Sequence, residues 1–132
     1  MEPLSEYART RLELAREMLA DAKSLCDEGR LRSAVDRAYY TMFHAAQAAL
    51  AGRGEKAPRT HKGLRSMFGE RLVAAGLIER EYSRDLTKAF EMRQESTYEA
   101  HGAATEGEVA GLIGRAERFL IRVEALLGEP RL

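Results

Sequence analysis

Between Ser33 and Leu50 the chain carries two stripes at helical spacing, and together they restrict what it can fold into more than any other stretch. Val35, Ala38, Tyr39, Met42, Phe43, Ala46, Ala49 and Leu50 recur at three- and four-residue steps, the pattern of one apolar seam on an α-helix. Ser33, Arg37, Tyr40 and His44 recur at steps of four, three and four, so they line up on a second stripe beside that seam. A helix that is merely solvated on its outer face carries Lys and Glu there. This one carries an arginine and hydrogen-bonding aromatics, which marks it as a candidate site as well as a packing element.

Further along, Tyr82, Leu86, Ala89 and Phe90 set an apolar stripe whose next members, at the same spacing, are Arg93 and Thr97. An arginine in register with a core-facing stripe needs a partner or a wet cleft, because an unpaired buried guanidinium is very costly. Arg93 is therefore the leading functional candidate. The plainer reading pairs it with Asp36, Glu91 or Glu95 at the edge of a bundle.

The whole chain reads as helix, with no credible strand. A first helix from about Leu4 to Asp27 turns Ala8, Ala15, Met18, Leu19, Ala22, Leu25 and Cys26 inward and stops at Gly29. The second runs from about Leu31 to Ala51. Thr60 caps a third helix that buries Leu64, Met67, Phe68, Leu72 and Val73 and stops at Gly76, and a fourth spans about Glu79 to Thr97. Thr105-Glu-Gly-Glu108 fits a capping box at the start of a fifth, whose seam is Val109, Leu112, Ile113, Ala116, Phe119, Leu120, Val123, Leu126 and Leu127. Gly107, Gly111 and Gly114 thin one face of that helix, as if for close approach of a neighbour. Short loops favour antiparallel neighbours, so the expectation is an all-α, up-and-down bundle of about five helices, one domain over residues 1–132.

Charge and motif chemistry exclude several function classes. Twenty-one basic and twenty-one acidic residues cancel, so any nucleic-acid site must be a local patch. The single Cys26 rules out an internal disulfide. With no basic, apolar export segment at the amino terminus and no apolar run near the roughly 20 residues of a membrane span, a cytoplasmic protein without membrane association is expected. Gly52-Arg-Gly-Glu-Lys56 follows a helix and lacks the strand, glycine spacing and hydroxyl of a P-loop, so it reads as a turn. His44, His61 and His101 are too scattered for a zinc pattern, and no Ser or Cys sits in a nucleophile elbow.

Three segments in order resemble the small prokaryotic HEPN domain, named for higher eukaryotes and prokaryotes nucleotide-binding. They are Ala34-Val-Asp-Arg-Ala-Tyr-Tyr-Thr-Met-Phe-His44, Thr60-His61 before Gly63, and Ala89-Phe-Glu-Met-Arg-Gln-Glu-Ser-Thr-Tyr98. The resemblance covers nearly the whole chain. It implies a helical bundle that dimerises symmetrically and sets an arginine and a histidine from the fourth helix of each copy in one cleft. In ribonuclease members, the implied mechanism needs no metal or other cofactor. The ribose 2′-hydroxyl attacks the adjacent phosphate, histidine assists proton transfer, and arginine stabilises charge on the phosphate oxygens.

On this chain the arginine carries over to Arg93. The histidine does not: four residues separate Arg93 from Tyr98, which stands where histidine is expected, and His101 follows after seven, outside the family window. A phenol with an ordinary pKa near 10 is a poor general base at neutral pH, though it can donate a hydrogen bond to phosphate. The residue after the arginine, small and polar or acidic in active members, is Gln94. The candidate catalytic set is thus Arg93, Tyr98 and His101, with Asp36, Arg37, Tyr40, His44 and His61 as RNA- or nucleotide-binding candidates. Tyr39, by contrast, reads as core.

The implied function is a toxin-like module of a toxin–antitoxin pair acting on RNA as a homodimer. The alternative is a non-catalytic nucleotide-binding or interaction module beside a minimal nucleotidyltransferase. In some such pairs the transferase adds AMP to a tyrosine two residues after the histidine. That position here is Ala100, which leaves Tyr98 as a substitute acceptor.

Overall fold

The computed structural model describes residues 4–98 and 104–129, apart from the side chain of Tyr98. Five α-helices make up the architecture: α1 (Glu6–Asp27), α2 (Leu31–Gly52), α3 (His61–Phe68), α4 (Arg80–Tyr98) and α5 (Glu106–Leu127), with a short π-helical turn, Gly69–Val73, continuing α3. The described residues contain no strand. No helix among them is long and apolar enough to cross a membrane.

Helix boundaries follow local chemistry. The side chains of Ser5, Thr60 and Thr105 accept from the amides of Ala8, Gly63 and Glu108, so three amino termini are capped by short hydroxylated residues. Gly29, Gly76 and Gly128 all lie at positive φ, near 70–80°, just past a helical segment, where a Cβ would be strained. The capping box is complete: Glu108 N donates to Thr105 Oγ1 at 3.2 Å and Thr105 N to Glu108 Oε1 at 3.1 Å. Thr105→Ala should cost about 1 kcal/mol, the usual worth of an N-cap. A melting curve that does not move would show that α5 is held by its seam alone.

The second helix is the hub and packs against all four others. Its seam accounts for this: Val35, Ala38, Tyr39, Met42, Phe43, Ala46, Ala49 and Leu50 are all buried, with Thr41 and Gln47 beside them. Helix α1 contributes Leu12, Ala15, Leu19 and Ala22, and α5 contributes Val109, Leu112, Ala116, Phe119, Leu120 and Val123. Met18, Leu25 and Cys26, expected inside, lie only half-buried at the rim. In the π-helical turn the amide of Ala74 donates to the carbonyl of Gly69, five residues back, at 2.9 Å.

The close approach expected at the α5 glycines does not occur. Among the described residues, nothing lies within 4 Å of where a Cβ would stand at Gly107 or Gly111, and Gly114 faces only the tip of Arg118. The intimate contact is at Gly52, where a Cβ would collide with the Leu127 side chain. The carboxyl ends of α2 and α5 therefore meet there.

Candidate functional site

Arg93 reaches across from α4 to α2, where its Nε donates to Asp36 Oδ1 at 2.9 Å. Of the three carboxylates within sequence reach, the partner is the one on the other helix. Glu91 and Glu95 stand two positions away on α4, where helical geometry turns them off the Arg93 face. The pair is not sealed in, since the side chains retain 22% and 30% of their exposure. Asp36 is shared: its Oδ2 also accepts from Arg37 Nη1 at 3.0 Å, and Arg37 extends toward Asp21.

The guanidinium of Arg93 lies 5.1 Å from the Tyr40 ring centre and 5.7 Å from that of Tyr39, within cation–π range of both. Burial is the largest single influence and works against its charge, but the Asp36 hydrogen bond and the electrostatic influence of Tyr40, Asp36 and Tyr39 together outweigh it, and the pKa stands above the ordinary arginine value. The Nη atoms make no hydrogen bond to any described residue, and they are not buried. They form the open edge of a fork whose other edge is fixed.

Tyr39 belongs to the core and also touches the candidate cluster. Its ring is fully buried, as its seam position requires, yet its hydroxyl lies 2.6 Å from His61 Nδ1. His61 opens α3 and packs its ring against Tyr39, Tyr40, Phe43 and Phe90. Arg65, one turn further along α3, lays its guanidinium over Phe90, 4.0 Å from the ring centre. Sequence reasoning missed Arg65. The available signal was its four-residue offset from His61, which puts both on one face of the helix.

Of the candidate residues, Asp36, Arg37, Tyr40, His61 and Arg93 are thus brought together. His44 sits one turn beyond Tyr40, 5.9 Å ring to ring, with Nδ1 between Gln47 Oε1 at 3.4 Å and Arg11 Nη1 at 3.5 Å. It is a hydrogen-bonded boundary residue at the edge of the group. Tyr98 ends α4, and its side chain and all of His101 lie outside the described residues. Beside the Asp36–Arg93 pair, a groove of about 270 Å³ is lined by Arg32, Ser33, Asp36, Arg37, Ser96 and Thr97.

Both histidines in the described structure are held below the usual histidine pKa of 6.5. For His44 the main cause is burial; for His61 it is burial followed by the charges of Arg93 and Arg65. A histidine kept neutral in the fold takes up its proton more readily when unfolded. Their contribution is therefore complete above pH 6.5 and is lost as pH falls toward the folded-state values. The melting temperature should drop between pH 7.5 and about 5.5, above the ordinary carboxylate range. A flat profile over that window would contradict the neutral assignment.

An all-helical bundle with an arginine tied to the polar stripe of its hub helix defines the class. The HEPN domain model matches residues 8–126, and the chain belongs to the HEPN domain family. A Methanocaldococcus jannaschii protein named "Putative toxin" is 36% identical over 126 residues, 96% of this chain and 92% of that protein. A Thermotoga maritima protein named "UPF0332 protein" is 35% identical over the same share of each chain. A second Methanocaldococcus jannaschii protein named "Putative toxin" is 26% identical over 88% of this chain and 78% of its own length.

Proposed function

We propose that this protein is the toxin-like module of a toxin–antitoxin pair and acts on RNA as a homodimer through the Arg93 cleft. The observation that carries the reading is the state of Arg93. One edge of its fork is fixed by Asp36, its face lies on two tyrosines, and its Nη atoms are left for an acceptor. A forked, permanently charged donor suits the non-bridging oxygens of a phosphodiester under attack. Two relatives named as toxins support the toxin reading.

In this reading the 2′-hydroxyl attacks the adjacent phosphorus, the P–O5′ bond breaks, and the 5′-oxygen leaves with a proton. The products are a 2′,3′-cyclic phosphate and a 5′-hydroxyl. The test is incubation of mixed RNA with the protein in EDTA, wild type beside Arg93→Ala. Fragments ending in 2′,3′-cyclic phosphate that vanish with the variant are expected. Intact RNA in both lanes would remove the catalytic part of the proposal.

One sequence observation favours a second reading. Tyr98 stands where the family places its histidine, which fits a descendant that binds nucleotide or RNA without cutting and serves a nucleotidyltransferase partner. Growth arrest on expression of this chain alone supports the first reading; normal growth with a stable complex supports the second. In the homodimer, Arg37, Tyr40 and Arg93 lie at or near the two-fold interface. Light scattering that reports a monomer at tens of micromolar would remove that element.

A further inference from the structure

We infer that His61 and Arg65 of α3 complete the Arg93 site as a receptor for one phosphodiester group of an RNA backbone, with Tyr39 fixing which ring nitrogen of His61 faces the ligand. The inference rests on the RNA-directed reading above and adds to it a second cation, a second kind of donor and the device that orients that donor.

The orientation follows from the buried phenol. Burial, the largest influence on Tyr39, raises its pKa, so the hydroxyl keeps its proton; with no other hydrogen-bond partner among the described residues, that buried O–H is satisfied only by donating to His61 Nδ1 at 2.6 Å. Nδ1 is thereby the acceptor, and the proton of the neutral ring resides on Nε2. That nitrogen makes no hydrogen bond to any described residue and is not buried. His61 therefore presents a fixed N–H outward.

Charge at the same place is under-compensated. Arg65 forms no ion pair with any described residue, and its Nη1 is buried without a hydrogen-bond partner. Arg93 has one carboxylate, Asp36, which it shares with Arg37. Both Arg65 and Arg93 disfavour a proton on His61, so the ring lies in the positive field of each. A chain with no net charge thus gathers three guanidiniums at this group of residues, Arg37 and Arg93 sharing Asp36 and Arg65 lying over Phe90, with Asp21 at the distal edge of Arg37. An anion offsets that excess, and a phosphodiester offers two non-bridging oxygens to the N–H groups of His61, Arg65 and Arg93.

The wall behind these donors selects the source of the phosphate. Tyr39, Tyr40 and Phe90 pack on His61, and the half-buried Tyr40 lies open beside Arg93. An aromatic ring next to a phosphate site gives a flanking base something to stack on, which inorganic phosphate cannot use. A single-stranded RNA backbone uses both features.

The test measures affinity of the full-length protein for a short single-stranded RNA, and for AMP, across a salt series. The proteins compared are wild type, Arg93→Ala, Arg65→Gln and the surface control Arg84→Gln. Arg65→Gln keeps the side-chain stem over Phe90 and removes the charge, and a melting curve verifies its fold. It is expected to weaken RNA binding about tenfold and to lower the slope of log K against log salt by roughly 0.7, the share of one single-strand phosphate contact. Arg84→Gln is expected to do neither. Long-range proton–nitrogen NMR of the wild type should show His61 protonated on Nε2, and Tyr39→Phe should abolish that preference. RNA binding that needs Arg93 but treats Arg65→Gln like Arg84→Gln overturns this inference and leaves the RNA-directed reading standing. Absence of RNA binding by the wild type overturns both. An Nδ1-protonated His61 overturns the role given to Tyr39, and AMP bound more tightly than RNA overturns the backbone assignment.

Discussion

On the proposed RNA-directed reading, Arg93→Ala is expected to slow RNA cleavage by about a hundredfold or more, the effect of removing one preorganised donor from a developing charge. The fold should lose only about 1 kcal/mol. The separation follows from how Asp36 is held. Breaking a fully buried ion pair typically costs about 3–5 kcal/mol, because the surviving charge is left uncompensated. Here the pair keeps 22% and 30% of its side-chain exposure, and Asp36 retains Arg37 at 3.0 Å when Arg93 is gone. The reverse change is harsher. Asp36→Ala leaves two arginines facing each other without their shared carboxylate, so it should cost more than Arg93→Ala in a melting scan. RNA titrations and thermal melts of both variants decide the matter. Strong destabilisation by Arg93→Ala with unchanged RNA binding would make the arginine a structural tie and nothing more.

What the sequence conveys about this fold is what local chemistry encodes. The Thr105 capping box, the Thr60 cap and the glycine stops at 29 and 76 need only neighbours in the chain, and all lie where spacing puts them. The α2 seam was equally legible, since a three-and-four repeat of large apolar residues has one burial solution. The π-helical turn at Gly69–Val73 was not, because its widened hydrogen bond leaves the apolar spacing of Phe68 and Leu72 looking like an ordinary helix. Contacts between helices were legible only as choices. Periodicity placed Arg93 on a core-facing stripe and named three carboxylates, but which helix faces α4 is a tertiary fact. Tyr39 illustrates the same limit, for its ring belonged to the seam while its hydroxyl found a histidine 22 residues away. Arg65 escaped notice because an arginine between Leu64 and Ser66 looks like a solvated helix face until Phe90 is known to lie beneath it.

Replacing Tyr39 separates its two duties, and Tyr39→Ala should be among the most damaging single changes in the chain. Its ring is completely buried and touches Tyr40, Phe43, His61 and Phe90. Truncating a large buried aromatic to alanine costs about 3–5 kcal/mol, through lost transfer energy and the cavity left behind. For a domain of this size that corresponds to a fall in melting temperature of roughly 10–20 °C. Tyr39→Phe keeps the ring and removes only the hydroxyl, so the fold should lose about 1 kcal/mol, the net worth of one hydrogen bond. Its larger consequence lies at the site. Freed from the phenol, His61 Nδ1 no longer has its acceptor role imposed, and the ring can carry its proton on either nitrogen. Binding that depends on an Nε2 donor should then weaken in a protein that still melts near the wild-type temperature. If Tyr39→Phe melts as low as Tyr39→Ala, the hydroxyl holds the core together and the separation of duties fails.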